Sequence, residues 1–416
     1  MKIKPARFAA CCLFLWMISM AGGRASAGSI AAPYQVGTWQ GFRPGALSFT
    51  FDDSCANQFT IAIPMFNQKG LKMTLFSCTG VMFAGWPKLQ SAAAQGHEIA
   101  SHTVTHRDLP NLSDADQLAE LTNSQNAINA NVTNQMCVTL AYPDCKEGND
   151  TLTSAYYFAA RGCSGQNVPK TLANFMNISS FVCGALGSIS TLAQFTNQAS
   201  SAANSSAWCV YLIHGIDNDG GYSPLPSANL QQVVNFFSTN QDRFWIQTFG
   251  NVARYIKERS ALSVVEVSSN SDSISLSASI ASANLDSRIF NYPVTLRRPL
   301  PAGWPGAVVS QNSAPVTAQK VQVQGTNYVM FDVVPDAGSI VISKMTAPAI
   351  ASPALSDASH LGMRLDGQAG ARYVIFSSTN LQDWQPLQTN ILTDVSTNLS
   401  FGVSNAAQYF RAQGLP

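Results

Sequence analysis

The sequence predicts an α/β unit built on a parallel sheet, followed by all-β units. Three observations predict it. From about residue 46 to residue 257, short apolar runs alternate with longer stretches of helical pattern, and strands that alternate with helices pair in parallel, either as an open sheet or as a barrel. Beyond residue 260 the helical stretches stop, and period-2 runs separated by Pro and Gly take over. Past the N-terminal segment every cysteine precedes residue 210, so any disulfides belong to the first unit.

The elements follow in order. Lys2, Lys4 and Arg7 precede an apolar run over 8–21, and Ala25-Ser26-Ala27 follows it. This is the pattern of a secretory signal peptide over 1–27, cleaved after Ala27. The run is short for a membrane span of about 20 residues. The expected location is therefore secreted, periplasmic or cell-surface, with no stable membrane insertion. Residues 46–51 form an apolar strand that ends in Asp52-Asp53. A helix over 61–70 stops at Gly70, a strand covers 73–76, and a helix covers 86–95. Residues 96–100 then lead into another strand and the pair His102 and His106. Ser113 and Asp116 resemble a capping box at the start of a helix that runs to about residue 131. Residues 208–213 form a buried strand ending at His214, 244–249 the last strand of this unit, and 252–258 its last helix. The α/β unit is assigned to 28–260.

In the next segment Ile274, Leu276, Ala278 and Ile280 alternate with serines, and further strands are expected at 292–296, 321–323, 328–333 and 340–342. We assign a β-sandwich to 261–346. Residues 346–356 read as a Pro/Ala/Ser linker, and a small β unit completes 347–416, with strands at 372–377 and 401–410.

Composition narrows the function. Charged residues make up 11% of the chain, against roughly 25% in typical soluble proteins. The net charge of +1 gives no reason to expect nucleic acid or an anionic membrane as a partner. Seven cysteines follow the signal segment: Cys55, Cys78, Cys137, Cys145, Cys163, Cys183 and Cys209. The number is odd, so at least one thiol stays unpaired within the chain. No Cys-x2-Cys spacing occurs among them, which excludes the usual thiolate zinc site.

The chemistry gathers on few residues. His102 and His106 are four apart, a spacing that puts both imidazoles on one face of a helical turn. A carboxylate from a second loop completes three ligands with an open position, as in catalytic zinc sites. Asp52 and Asp53 lie after one expected strand and His214 after another, so one rim of the sheet gathers all five. Asp53, His102 and His106 are assigned as metal ligands. The metal is divalent, with zinc first and cobalt, nickel or manganese as alternatives. Asp52 is assigned as general base and His214 as proton donor to the leaving group. Taken alone, Asp52-Asp53 would read as an Asx turn and His214 as a packed core histidine. His97 is assigned a structural role.

Four segments together carry a family resemblance: Thr50-Phe51-Asp52-Asp53, Ser101-His102-Thr103-Val104-Thr105-His106, Ala141-Tyr142-Pro143-Asp144 and Leu212-Ile213-His214. Over about residues 40–258 the chain resembles the polysaccharide deacetylase family (NodB homology, carbohydrate esterase family 4). The resemblance implies a distorted (β/α) barrel and a divalent metal, commonly zinc. It also implies removal of N-acetyl or O-acetyl groups from a polysaccharide or oligosaccharide. Backbone N–H groups over Tyr142, Pro143 and Asp144 would hold the oxyanion. The third segment departs from the family pattern, with Ala141 at an arginine position and Asp144 at an aromatic one. Arg161, one strand later, is expected to supply the missing guanidinium to Asp52. No Asp-x-x-Trp-type segment is found to pair with His214. A catalytically weak glycan-binding protein and a small-amide hydrolase are the alternatives. Tyr373, Trp384 and Tyr409 are candidate sugar platforms, although scattered aromatics are more often core. Since no motif lies beyond His214, the segment up to Ser260 is expected to fold and act alone.

Overall fold

The structure is a computed structural model that describes residues 28–81, 85–281, 285–357, 359–403 and 407–415. The signal-peptide assignment over 1–27 lies outside the described residues. Among the described residues, no helix is long and apolar enough to cross a membrane.

The α/β unit is a curled parallel sheet of eight strands. Its order runs Ala159–Arg161, Thr139–Ala141, Glu98–Ser101, Thr74–Ser77, Gly45–Asp52, Trp208–Ile213 and Phe181–Val182, with Phe244–Ile246 also paired to Gly45–Asp52. A single parallel bridge between Arg161 and Ile178 joins the two ends. The sheet therefore curls into a half-barrel, the distorted form of the (β/α) barrel. Alternation along the central strand sorts the side chains. Leu47, Phe49 and Phe51 pack with Leu75, Ile99, Leu140, Tyr211 and Ile213 in the core shared with the outer helices. Ala46, one step out of phase, packs with Phe76, Ala100, Ala141, Trp208 and Val210 in a second core. Asp52 keeps the phase of Ala46, so the strand delivers it to the inner face at its carboxyl end.

The helices start where the caps are. Ser113 Oγ accepts from the Asp116 amide at 3.2 Å and donates to its carboxylate at 2.9 Å, opening the helix Asp114–Asn131. The expected strand over 244–249 is shorter, Phe244–Ile246, because Thr248 caps a helix that already starts at Phe249 and ends at Ala261. Glu98 sits beneath the barrel. Its carboxylate accepts from Thr74 Oγ1, Thr139 Oγ1 and the Gly250 amide, tying the strands to that helix.

The next β segment forms two antiparallel sheets. One holds Ser263–Ser269, Ser273–Ser279, Ile340–Lys344, Ala307–Gln311 and Ala314–Val316; the other holds Val294–Pro299, Thr326–Val333 and Ala318–Val323. A strand from before the barrel, Gln35–Val36, joins the second sheet beside Val294–Pro299. The barrel and this sandwich share one continuous core: Trp208, Trp245, Phe249 and Leu262 lie with Ile274, Leu296, Phe331 and Ile342.

The last segment differs from expectation. Most of the segment 346–356, read as linker, belongs to the strand Ala349–Asp357, paired with His360–Asp366. Its register shifts between Ala351 and Ala354, around Pro353; an edge strand tolerates a proline that donates no hydrogen bond. The strand expected over 401–410 is two, Ser396–Gly402 and Tyr409–Leu415, in different sheets. Tyr373 is fully buried in a small separate core with Met363, Leu365, Ile375 and Phe401, which removes it as a sugar platform. One face of Trp384 is taken by the Arg411 guanidinium, 4.5 Å from the ring centre.

Candidate active site

Asp52, Asp53, His102, His106, Asp144 and His214 line one cavity of about 390 Å³ at the carboxyl end of the barrel strands. The ligand atoms of Asp53, His102 and His106 lie within 4.8 Å of one another. His102 Nε2 is 3.7 Å and His106 Nε2 3.9 Å from Asp53 Oδ1. His102 Nδ1 lies 2.8 Å from the Ala141 carbonyl. A carbonyl only accepts, so Nδ1 carries the proton and the Nε2 lone pair faces the cavity. This donor set, two imidazoles and one carboxylate, fits a divalent ion of the zinc type.

The histidine pair is brought together by a loop, not by the helical turn that the spacing suggested. Residues 102–108 are irregular, with Thr103 and His106 in the left-handed region (φ of 65° and 58°). The β-branched run Thr103-Val104-Thr105 disfavours a helix. Glu120, reaching over from the helix Asp114–Asn131, instead accepts from the amides of Val104 and Thr105, both at 2.8 Å, and from Thr105 Oγ1 at 2.5 Å. One carboxylate thus satisfies the backbone that a helix would have satisfied. Asp53 is also left-handed, with φ of 69°, a region that Asp tolerates better than most residues.

Asp52 is 2% exposed and is held by Arg161, itself 1% exposed, with Nη2 2.5 Å from Oδ2. Arg161 occupies the strand next to Ala141, and the two residues are register partners. The guanidinium leans over the Phe76 ring and reaches Ser180 Oγ at 3.4 Å. Burial pushes the Asp52 carboxyl up, but Arg161, then His102 and His214, outweigh burial and hold it below the usual carboxylate range. Burial holds the His102 imidazole below its ordinary value, against the opposing pull of Asp52 and Asp53. His214 Nε2 lies 3.9 Å from Asp52 Oδ2, and its Nδ1 is buried with no partner among the described residues.

The segment 142–144 corrects the expected oxyanion donors. The Tyr142 amide already donates to the Arg161 carbonyl at 3.1 Å, and Pro143 has no N–H. Asp144 alone remains, at φ of 51° on the cavity lip. A disulfide between Cys145 and Cys163 ties this lip to the strand that carries Arg161. Cys55, Cys78, Cys137, Cys183 and Cys209 are buried free thiols. His97 is structural: Nδ1 accepts from the Met73 amide, Nε2 meets Asn67 Oδ1, and burial lowers its pKa to about 4.

Three residues escaped sequence reasoning. Gln58, fully buried, donates from Nε2 to the carbonyls of both Asp52 (2.6 Å) and His214 (2.9 Å), joining two strand ends. Glu120 shapes the histidine loop. The half-exposed Tyr222 ring stands edge-on to His214, 5.1 Å between centres. None has a recognisable motif, since each acts through a contact that only the folded loops create.

Residues 40–161 match the polysaccharide deacetylase family, a span that holds Asp52, Asp53, His102, His106 and Arg161. The match is confined to this part of the chain and stops short of His214. The chain also has wider likenesses. A gellan lyase from a Bacillus species is 28% identical over 341 residues, which is 77% of this chain and 13% of that protein. The chain therefore spans a small part of that relative. The Xyl-CE4 domain of a multidomain xylanase, from the hindgut metagenome of Trinervitermes trinervoides, is 18% identical with a TM-score of 0.37. It covers 50% of this chain and 89% of its own. Peptidoglycan deacetylase PdaC from Bacillus subtilis is 16% identical with a TM-score of 0.36, covering 52% of this chain and 92% of its own.

Proposed function

We propose that the chain is an exported, metal-dependent deacetylase of glycans, acting on N-acetyl or O-acetyl groups. The observation that carries this reading is the convergence of the Asp53, His102 and His106 ligand atoms within 4.8 Å, beside a second carboxylate clamped by a buried arginine. The trio would hold a divalent ion, zinc foremost, which supplies Lewis acidity for a water and a carbonyl. Asp52, kept ionised by Arg161, takes the proton of the attacking water. The Asp144 amide donates to the oxygen on which charge develops. His214 returns a proton to the leaving amine or alcohol from Nε2, on the side of Asp52. Arg161 replaces the guanidinium that Ala141 lacks. The Cys145–Cys163 disulfide supports export, because such bonds persist in oxidising compartments.

The test is acetate release from chitooligosaccharides, peptidoglycan and acetylated xylan, with and without chelator. Chelator-sensitive release from at least one glycan is expected. Glycan binding with no acetate release by metal-loaded protein would replace the enzyme by a lectin-like barrel. Release from small amides alone would move the substrate class.

A further inference from the structure

A cavity of about 430 Å³ lies at the seam between barrel and sandwich, outside the site described above. The arrangement of one sheet creates it. Along Thr326–Val333, Val329, Phe331 and Val333 are buried in the core, so Tyr328, Met330 and Asp332 share the opposite face. The register sets Thr295 opposite Asp332, and Arg297 and Gln319 opposite Met330. This outer face is polar, yet it is not left flat. The turn 40–43, just before the central barrel strand, folds over it. Gln40 Nε2 donates to Asp332 at 3.0 Å, the Gly41 amide donates to Thr295 Oγ1 at 2.8 Å, and Arg43 and Asp242 close the lip.

The lining has a definite chemistry. Its lip carries two exposed planar groups, the Asp242 carboxylate and the Gln319 amide, while the Asp332 carboxylate behind them is held by Gln40 and Thr295, and the Arg43 guanidinium by the Gln40 and Gln241 carbonyls. Such groups match two adjacent hydroxyls. The lining sets one arginine, Arg43, against two aspartates, and burial pushes the carboxyl of Asp332 up, so neither sign of charge dominates and a strongly charged ligand is disfavoured. On the same face, Arg297 is stacked 4.1 Å from the Phe42 ring centre and 5.0 Å from that of Tyr328, giving a half-buried flat edge.

We propose that this seam groove is a second glycan-binding site, which takes an uncharged stretch of sugar chain through its vicinal hydroxyls. The choice of a sugar over other polyols rests on the deacetylase reading. Arg43 precedes the eight-residue strand Gly45–Asp52, whose far end carries the catalytic carboxylate. At about 3.3 Å per residue the two sites stand roughly 23 Å apart. The groove therefore holds polymer while the rim works on a separate stretch.

The test uses the full chain with two probes, insoluble chitin and insoluble acetylated xylan. The paired variant Asp242→Ala/Gln319→Ala removes exposed lip groups, and Thr317→Trp fills the groove instead of emptying it. Both are expected to cut the fraction retained on at least one polymer fivefold or more. The thermal midpoint and acetate release from soluble chitotetraose should stay unchanged. Retention is also measured on Asp52→Asn, where turnover is stopped, so that a failed deacetylase reading and a failed groove reading are told apart. Wild-type protein retained by neither polymer, or variants retained as well as wild type, would overturn the proposal.

Discussion

The two β units that follow the barrel look alike in sequence and differ in how they are attached. The sandwich shares its core with the barrel: Trp245, Phe249 and Leu262 pack with Leu276, Leu296 and Phe331 in one cluster. The last unit holds a core of its own around Leu365, Tyr373, Ile375 and Leu392, and meets the sandwich through Val308 and Met345. Hydrophobic burial is proportional to the area removed from water, wherever the chain happens to change composition. A change of pattern at residue 260 therefore marks a change of secondary structure, not an energetic boundary.

The comparison breaks most visibly under truncation. A chain ending at residue 261 exposes the apolar floor of the barrel and is expected to aggregate, against the expectation that everything up to Ser260 folds alone. A chain ending at residue 345 should stay soluble and release acetate from short substrates at the full rate. Sedimentation and acetate assays on the two truncations decide between them.

The rim and the seam can then be separated. Asp52→Asn should keep the bound metal and lose about a hundredfold or more in kcat, the scale of general-base loss. Elemental analysis beside kinetics checks this, and metal loss in Asp52→Asn but not in Asp53→Asn would exchange the two roles. Arg161→Lys keeps the charge but not the planar fork. It should cost about tenfold or more, as for other groups that orient a site, and shift the acid limb of the pH–rate profile upward, because Asp52 loses part of what holds its pKa down.

The smallest effect belongs to the seam. Glu258 is fully shielded, accepts from the Tyr292 amide of the sandwich side, and is pushed up by burial to about 8 from an ordinary 4.5. A raised carboxyl keeps its proton in the folded state while the unfolded chain loses it. Its contribution is therefore complete below about pH 4.5 and falls as pH rises through 8. Glu258→Gln keeps the acceptor and removes that slope. It should raise the thermal midpoint at pH 8, change little at pH 4, and leave the acetate rate untouched.

What could be read from the sequence was what repeats locally. The strand Trp208–Ile213 is a continuous apolar run, and the structure places it at the residues expected. The motif aspartates and histidines do meet at one rim, because they lie at, or in the loops that follow, the carboxyl ends of strands of one parallel sheet. What could not be read depends on distant partners. The spacing of His102 and His106 suits a helix, but Glu120 satisfies the loop amides and the loop prevails. The Tyr142 amide looked available until the neighbouring strand supplied Arg161 O. The Pro/Ala/Ser run after residue 346 looked like a linker until His360–Asp366 came alongside.

The register pairing of Ala141 with Arg161 also limits what each position can hold. Two adjacent strands offer one place for a guanidinium beside Asp52, and this chain fills it from the second strand. Restoring arginine at position 141 while Arg161 remains would force two cations onto one buried carboxylate, in a slot where Ala141 has no exposed surface. Losing Arg161 alone would leave Asp52 buried without its guanidinium. Position 141 is therefore expected to accept only small residues while position 161 is arginine.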